Sequence, residues 1–283
     1  MPGPALPPRR AGRPPPPELV QRRAGVAAMA DHPRPAGVEV RVTEIAGVSC
    51  VVCTPTSPQG RLVHFHGGGY RLGSAAAWAP FGARLAEACG LEVHLPDYAL
   101  APELPFPAAL HDALAVIEAL ANGRDPLFVG GDSAGGGLAL STALIAQAGG
   151  VRIAGLSLLS PWLDLTATAA AYQTCADSDA LFSRAAATEA AEAYLQGVAS
   201  DDPLASPLFA DLSQAPPLLV MASGAEVLVN DSVALAARTA SLGRAVQLHV
   251  VPGQPHVWPV LRPDEPASAW ALAVAATFFA HCD

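Results

Sequence analysis

Residues 127–140 read LFVGGDSAGGGLAL and indicate the fold more strongly than any other stretch of the chain. The apolar residues Leu127–Val129 are typical of a buried strand, and the sequence after them predicts a helix over Gly135–Ala148. Between them, GDSAG at residues 131–135 fits the pattern G-x-S-x-G, in which the serine lies on a sharp turn from strand to helix. Glycines suit such a turn because Cβ atoms would clash there. The stretch therefore predicts a strand–turn–helix unit that exposes the hydroxyl of Ser133.

Strand-like and helix-like segments alternate on both sides of this unit. A hairpin is predicted around Ala46-Gly47, and strands then alternate with helices towards the C-terminus. Such alternation is typical of a parallel sheet with helices on both faces, so we expect an α/β fold with a mostly parallel central sheet. The predicted strands are 38–45, 50–54, 62–65, 92–95, 127–129, 153–159, 216–222 and 246–251, and the predicted helices are 80–89, 108–121, 135–148, 232–242 and 268–279.

The first 35 residues differ in composition from the rest of the chain. Residues 1–17 contain eight prolines and three arginines, which predicts a disordered tail. Residues 18–35 follow as a separate N-terminal segment, in which the prolines stop after residue 17 and a helix is predicted over 18–31. The sequence HPRP at residues 32–35 ends this helix, because proline disfavours helical geometry in the residue before it.

The remaining residues, 36–283, are expected to form one α/β domain. Within it, residues 165–210 are rich in alanine and aspartate, with one helix predicted near 183–196 and no strand. This region interrupts the alternation of strands and helices. We interpret it as an insertion that lies above the sheet.

Charge and hydropathy argue against two classes of partner. The net charge is −9, with seven arginines against three acidic residues in 1–41 and nine arginines against twenty-two acidic residues in 42–283. An acidic body argues against DNA or RNA as a partner, because phosphate binding needs a basic surface. The longest strongly apolar run, 269–280, is about twelve residues, shorter than the ~20 that a membrane span needs. Since no apolar signal-peptide stretch lies near the N-terminus, we expect a cytoplasmic protein.

The five cysteines are scattered and do not indicate a disulfide framework. Cys50 and Cys53 form a C-x-x-C motif, but they lie in a predicted strand, without a second pair or a histidine cluster nearby. We interpret them as small apolar strand residues. The sequence predicts neither a metal nor any other cofactor.

Two glycine-containing motifs predict a site for a nucleophile and an oxyanion. A helix that begins directly after Ser133 places positive partial charge where negative charge develops during attack on a carbonyl. HGGG at residues 66–69 follows a predicted strand, and its glycines leave backbone N–H groups unobstructed to bind an oxyanion together with the N–H of Ala134. His64 and His66 also form an H-x-H pair, but the glycines and the lack of nearby ligands favour loop bracing by His66 over metal binding.

A serine hydroxyl needs a base, and the expected chain order on such a fold is serine, acid, histidine. Three histidines follow the serine. His249 lies inside a predicted strand and His281 lies at the C-terminus, whereas His256 lies in a loop directly after the strand that ends at Val251. Ligand chemistry gathers at the carboxyl ends of strands in α/β sheets, which favours His256.

Two acidic residues follow the predicted strand 216–222 and could orient the histidine. Glu226 lies in the loop itself, where its carboxylate could accept a hydrogen bond from the imidazole. Asp231 comes five residues later, near the predicted start of a helix, where aspartate commonly caps the helix. Loop position favours Glu226, and Asp231 remains the alternative acid.

These features together resemble the hormone-sensitive-lipase-like family of α/β-hydrolases, especially its bacterial esterases. The matching segments follow the family's order from about residue 38 to the C-terminus. They are HGGG at 66–69, DYALAPE at 97–103, PFP at 105–107, GDSAGG at 131–136, SPWLDL at 160–165, PLASPL at 203–208, EVL at 226–228 and HVW at 256–258. Many members have aspartate and proline where this chain has Glu226-Val227, and this departure keeps Asp231 open as the acid.

The resemblance implies an α/β-hydrolase fold with a helical cap, and it implies roles for the residues that match the motifs. The catalytic triad would be Ser133, Glu226 and His256. The N–H groups of the oxyanion hole would come from Gly68, Gly69 and Ala134. The insertion 165–210 and the helix within 18–35 would form the cap, and Tyr70 would face the substrate. A homodimer that pairs through an edge strand is also expected by resemblance.

The activity that the resemblance implies is hydrolysis of carboxylic esters with short to medium acyl chains, through an acyl-enzyme. The same triad could instead act on a lactone or an aryl amide. A non-catalytic small-molecule receptor is the alternative from another class, since the gibberellin receptors resemble this family while lacking the catalytic histidine. The presence of His256 favours the enzyme.

Overall fold

The chain is organised around one sheet. The structure is a computed structural model that describes residues 6–121, 123 and 125–282. The strands within these residues are β1 (Val38–Ile45), β2 (Val48–Pro55), β3 (Arg61–Phe65), β4 (Glu92–Pro96), β5 (Leu127–Asp132), β6 (Gly155–Leu159), β7 (Leu218–Ser223) and β8 (Val246–Val251). Their order across the sheet is β1-β2-β4-β3-β5-β6-β7-β8.

The sheet is mostly parallel, as predicted. β1 and β2 form the expected antiparallel hairpin, and β2 also runs antiparallel to β4. All other neighbouring strands are parallel. The carboxyl ends of β5, β7 and β8 therefore lie at the same edge of the sheet, which places the loops after them close together.

Helices cover both faces of this sheet. The helices of the described residues are α1 (Pro17–Ala27), α2 (Ala75–Cys89), α3 (Ala108–Leu120), α4 (Ala134–Ala148), α5 (Ala171–Thr174), α6 (Arg184–Leu195), α7 (Val229–Ser241), α8 (Trp258–Leu261) and α9 (Pro266–Ala280). Helices α3, α4 and α7 contribute to the core on one face, and α2, α8 and α9 contribute to the core on the other.

Strand β3 shows how the sequence serves two cores. Leu62 packs into the core of α2 and α9, whereas Val63 packs into the core of α3, α4 and α7. Successive side chains of a strand point to opposite faces, so a strand covered on both faces is apolar at nearly every position. Each such large apolar side chain contributes roughly 1.5–3 kcal/mol when fully buried.

The same alternation separates the C-x-x-C pair. Cys50 and Cys53 are both fully buried in β2, but they belong to the cores on opposite faces. Burial raises the pKa of each thiol to about 12. The two sulfurs therefore act as small apolar groups, as predicted.

Helix α2 begins earlier than predicted. The sequence predicts a helix that begins at Pro80. In the structure the helix starts at Ala75, where the Ser74 hydroxyl accepts a hydrogen bond from the N–H of Ala77 at 3.1 Å. The Asp97 carboxylate accepts another from the N–H of Ala75 at 2.6 Å. These two side chains satisfy the first turn, and Pro80 lies inside the helix.

The segment between β6 and β7 contains the predicted insertion. It holds α5 and α6, with no strand among its residues, all of which the structure describes. Tyr194 of α6 stacks on Tyr70 with ring centroids 3.8 Å apart, and Phe106 packs edge-on against Tyr194 at 5.7 Å. An aromatic cluster thus joins the insertion to the body of the domain.

The N-terminal segment differs from the predicted disordered tail. Residues 6–16 contain neither helix nor strand, but they lie against the domain. The N–H of Gly12 donates to the carbonyl of Glu103 and that of Arg13 to Pro102, each at 3.0 Å. Composition alone misses these contacts because they form with residues about ninety positions away. Residues 1–5 of the predicted tail lie outside the described residues.

Helix α1 and a short 3-10 turn together replace the single helix predicted over 18–31. The helix begins at Pro17 and ends at Ala27, and the turn spans Ala28–Asp31. Arg23 of α1 donates to the carbonyl of Arg71 at 2.8 Å and forms a bidentate ion pair with Glu103 at 2.5 and 2.9 Å. This helix therefore supports the loop after β3. Among the described residues, no helix is both long and apolar enough to cross a membrane.

Candidate active site

Ser133 lies on the turn between β5 and α4 in a rare backbone conformation, with φ +53° and ψ −122°. Few residues other than glycine adopt positive φ, so the surrounding contacts must hold this geometry. The N–H of Ser133 donates to Leu159 of the neighbouring strand at 3.0 Å, and its carbonyl accepts the N–H of Trp162 at 2.9 Å. A Cβ atom on Gly135 would clash with the carbonyl oxygen of Phe65, which explains the glycine two residues after the serine.

The structure brings the predicted histidine and acid to this serine. Ser133 Oγ lies 2.9 Å from His256 Nε2, and His256 Nδ1 lies 2.8 Å from Glu226 Oε2. In the neutral tautomer that fits both contacts, the serine hydroxyl donates to Nε2 and the Nδ1–H donates to the carboxylate. Ser133 and His256 keep exposures of 8% and 7%, whereas Glu226 is almost completely buried.

The environment of His256 favours its charged form. Burial lowers the pKa of His256, but the hydrogen bond and the negative charge of Glu226 raise it by more, with smaller contributions from Asp179 and Asp132. The net pKa lies above the ordinary value for histidine. The imidazole is thus prepared to accept a proton from the serine.

Asp231, the alternative acid, lies away from His256 in the hydrogen-bond network. Its Oδ2 atom accepts the N–H groups of Leu163 and Asp164 at 2.8 and 3.0 Å. The sequence predicted that Asp231 caps its helix. It does not, because α7 begins at Val229 and Asp231 lies within the first turn. Burial raises the pKa of Asp231 to about 7, although both backbone hydrogen bonds oppose this. Asp231 therefore binds the backbone at residues 163 and 164.

Ser223, at the end of β7, connects the loop that carries Glu226 (the acid loop) to the loop that carries His256. Its N–H donates to Glu226 Oε1 at 3.2 Å, and its hydroxyl donates to the carbonyl of Gln254. The hydroxyl also accepts the N–H of Ala225 at 3.0 Å. Sequence reasoning missed this residue, because a serine at the end of a strand has no pattern that reveals a partner thirty residues later.

The HGGG loop after β3 lies beside the nucleophile. A Cβ atom built on Gly67 would lie 3.2 Å from Ser133 Cβ. Gly68 has φ +117°, and its carbonyl accepts the N–H groups of Arg71 and Leu72 at 3.1 and 2.9 Å. This tight turn requires a residue without a side chain at Gly68. The loop thus passes beside Ser133.

The H-x-H pair, His64 and His66, makes hydrogen bonds next to this loop. His66 is buried and stacks on Tyr98 with ring centroids 4.3 Å apart, and its Nδ1–H donates to the carbonyl of Gly67 at 2.7 Å. His64 Nε2 lies 3.0 Å from Asp132 Oδ1, which also accepts the indole N–H of Trp78 at 2.8 Å. Among the described residues, no group of three side chains is arranged to hold a metal ion.

Comparison with known proteins identifies the family. A family model described as alpha/beta hydrolase fold matches residues 62–260, which is more than half of the chain. An acetyl-hydrolase from Streptomyces hygroscopicus is 35% identical over 229 residues, covering 79% of this chain and 77% of that protein. The chain belongs to the α/β-hydrolases.

Two further comparisons agree with this assignment, and the second places the hydrolase within the hormone-sensitive-lipase-like family. An esterase from Acinetobacter venetianus is 36% identical over 69% of this chain and 66% of its own length. A crystal structure of a hormone-sensitive lipase from a metagenome library superposes with a TM-score of 0.89 at 34% identity, covering 93% of this chain and 92% of that one. The hydrolase is a serine hydrolase of the carboxylesterase and lipase type.

Tyr70 was expected from the resemblance to face the substrate, and this expectation stays a prediction. Tyr70 is 1% exposed and lies between Tyr194 of the insertion and Trp162, whose ring centroid is 6.1 Å away. Its φ of +59° turns the chain directly after the HGGG loop. The position next to the loop was predicted, but the packing of α6 over it could not be read from the local sequence.

Phe182 of the insertion lies over the imidazole of His256. Its ring is nearly parallel to that of His256, at 12° and 6.2 Å between centroids, and it packs edge-on against Trp162 at 5.4 Å. Sequence reasoning did not single out this residue. An apolar side chain between two aspartate- and alanine-rich stretches carries no motif, and only the tertiary fold brings it to the site.

Proposed function

We propose that this hydrolase cleaves carboxylic esters through an acyl-enzyme formed on Ser133. The observation that carries the proposal is the continuous hydrogen-bonded chain from Ser133 Oγ through His256 to Glu226. His256 removes the hydroxyl proton as the serine oxygen attacks the carbonyl carbon, and Glu226 stabilises the imidazolium that forms. The imidazolium then protonates the leaving alcohol, and the neutral imidazole activates the water that releases the acid.

The N–H groups of Gly68, Gly69 and Ala134 would bind the oxyanion of the tetrahedral intermediate. Support comes from the turn of the HGGG loop beside Ser133 and from the start of α4 at Ala134. Donors held in advance by the fold need no reorganisation when the charge develops, and losing one typically costs ~3 kcal/mol of transition-state stabilisation. This assignment needs no cofactor.

The substrate class that we propose is an ester with a short to medium acyl chain. The name of the acetyl-hydrolase relative supports a short acyl group. Large aromatic side chains also lie beside the histidine, since Phe182 packs against His256 and Trp162 packs against Phe182. The retained His256 argues against a receptor without activity. A homodimer remains a prediction, for which β8 offers an edge strand with Val250 exposed.

Replacement of the serine tests this proposal. Ser133→Ala should reduce hydrolysis of p-nitrophenyl acetate and butyrate by at least about 1,000-fold, because the nucleophile is lost. Ser57→Ala is the matched control, since Ser57 is exposed on the turn between β2 and β3. Circular dichroism and thermal unfolding should show that both variants fold. Wild-type turnover in a pure, folded Ser133→Ala sample would refute the proposal.

A substrate series tests the finer assignment. The value of kcat/KM should be highest for short to medium acyl p-nitrophenyl esters and should fall for chains of about twelve carbons or more. A lactone and an anilide, measured beside them, separate the ester from the two alternatives that share the triad. If the anilide or the lactone is turned over faster than the esters at equal concentration, the proposed substrate class is wrong and the faster compound takes its place.

A further inference from the structure

One carboxylate of the insertion, that of Asp179, contacts both the acid loop and the segment that carries Phe182. Asp179 lies between α5 and α6, and both of its oxygens accept backbone hydrogen bonds. Oδ2 accepts the N–H of Val227 at 2.9 Å, and Oδ1 accepts the N–H groups of Leu181 and Phe182 at 3.0 Å each. Val227 directly follows Glu226 in the chain. A single side chain therefore joins the loop of the acid to the segment that carries Phe182.

A second hydrogen bond reinforces this junction. The hydroxyl of Ser178 donates to the carbonyl of Ala225 at 2.8 Å. The residues on either side of Glu226 in the sequence are thus both bound by consecutive residues of the insertion. The acid loop is therefore held by hydrogen bonds from the insertion and by the hydrogen bond from Ser223 to Glu226.

The geometry of Phe182 depends on the same carboxylate. The backbone N–H of Phe182 is held by Asp179, and its ring lies nearly parallel to the imidazole of His256. Trp162 supports the ring from its edge. Because the N–H and the ring belong to one residue, loss of the carboxylate would release the cover over the imidazole.

We propose that Asp179 is a positioning residue for ester hydrolysis, which holds the Glu226 loop and the Phe182 ring in register with His256. The inference rests on the proposed function of Ser133 and its partners. Asp179 acts through Glu226 and His256, and the reaction steps at the serine are unchanged. Its hydrogen bonds to Val227, Leu181 and Phe182 couple the insertion to the loop of Glu226.

The charge of Asp179 gives the proposal a distinctive signature. The charged groups that act on His256 are the carboxylates of Glu226, Asp179 and Asp132, and each favours the protonated imidazole. Removing one of these charges lowers the pKa of His256. The acidic limb of the pH profile, which reports deprotonation of this base, should then move to lower pH.

The test compares Asp179→Asn and Asp179→Ala with Asp177→Asn in the full chain. Asp177 is exposed two residues earlier, so its variant removes the same charge from the same segment without touching the site. With p-nitrophenyl butyrate, Asp179→Asn should lower kcat/KM about 10-fold, mainly through kcat, because its amide keeps only one acceptor oxygen. Asp179→Ala should lower it further. The acidic limb of Asp179→Asn should shift to lower pH, and Asp177→Asn should match the wild type.

The outcomes separate this inference from the proposed function. Wild-type kcat and an unchanged acidic limb in Asp179→Asn would overturn the inference, even if thermal stability fell, because that pattern indicates a purely structural role. If Asp179→Ala does not fold, the isosteric asparagine variant still decides. Failure of the proposed function would instead appear as ester turnover that survives Ser133→Ala.

Phe182→Leu, which keeps an apolar side chain, should lose less activity than Phe182→Ala, and equal losses would contradict the covering role of the ring.

Discussion

At the scale of single residues, the site depends on a serine that its neighbours force into positive φ. Ser133 has this geometry because its N–H and its carbonyl are hydrogen-bonded to neighbouring segments and the backbone of Phe65 passes close to Gly135. The strain of such a conformation is on the order of 1–3 kcal/mol, which the surrounding fold must offset. The result is a hydroxyl that projects from a tight turn towards His256.

We propose Glu226 as the acid of the triad, because its carboxylate contacts His256 Nδ1 at 2.8 Å, and its replacement tests that assignment. Glu226→Gln should lower kcat at least about 100-fold, because the imidazolium loses its anionic partner. The acidic limb of kcat/KM should also move to lower pH, since Glu226 raises the pKa of His256. Glu226→Asp should keep part of the activity, because the carboxylate remains but is one methylene shorter. Activity of Glu226→Gln close to that of the wild type would contradict the assignment.

Asp231 should affect stability in a pH-dependent way and leave catalysis largely unchanged. Burial raises its pKa to about 7, so the folded protein binds a proton between about pH 4 and 7 that the unfolded chain has released. The stability that Asp231 contributes is therefore fully present below about pH 4 and is lost as the pH rises through 7. Asp231→Asn cannot ionise and keeps an acceptor oxygen for Leu163 and Asp164.

The free energy of unfolding, measured with urea at pH 4.5 and 8, tests this expectation. From the lower to the higher pH, the wild type should lose on the order of 3 kcal/mol relative to Asp231→Asn. Asp201→Asn, at an exposed site, should behave like the wild type. If the difference in unfolding free energy between the wild type and Asp231→Asn stays constant with pH, the buried, ionisable state of Asp231 is contradicted. If Asp231→Asn is fully stable but inactive, the choice between Glu226 and Asp231 as the acid is open again.

At the scale of elements, the N-terminal segment fastens the insertion to the domain. The guanidinium of Arg10 donates to the carbonyl of Phe106 at 2.8 and 3.1 Å, to Leu195 at 2.7 Å and to Gln196 at 3.2 Å. The last two carbonyls lie at the end of α6, where backbone oxygens lack partners within the helix. One arginine therefore caps α6 and ties it to the loop before α3.

Arg10→Ala should destabilise the hydrolase by about 1–3 kcal/mol, since several carbonyl hydrogen bonds to a charged donor are lost. Arg22→Ala is the matched control, because Arg22 is exposed on α1 and its replacement should change stability by less than about 0.5 kcal/mol. Denaturant unfolding of both variants measures the difference. Equal stability of the two variants would show that the segment does not fasten the insertion.

The elements also show where sequence reasoning succeeds and where it fails. The strands around Ser133 and the order of strands and helices follow from local apolar patterns, and the predicted sheet is confirmed in its mostly parallel direction. Tyr70, the tail contacts of Arg10 and the Phe182 cover involve partners far away in the chain. Such contacts depend on how the insertion packs over the body, which no local periodicity encodes.

At the scale of the whole molecule, the sheet places three distant parts of the chain at one edge. Ser133 follows β5, Glu226 follows β7 and His256 follows β8, and all three strands run parallel in the same sheet. The insertion closes over this edge through Tyr194 and Phe182. The acidic body carries nine arginines against twenty-two acidic residues, which suits an uncharged ester better than a phosphate-bearing ligand.

The central claim, that Ser133 forms the covalent intermediate, is tested most directly by labelling the intact protein with a p-nitrophenyl alkylphosphonate. Intact-mass and peptide mass spectrometry should find one phosphonyl group per chain, located on Ser133, and the loss of esterase activity should follow the extent of labelling. Ser133→Ala should take up no label at the same concentration. A label on another residue, or full activity in a stoichiometrically labelled sample, would contradict the account.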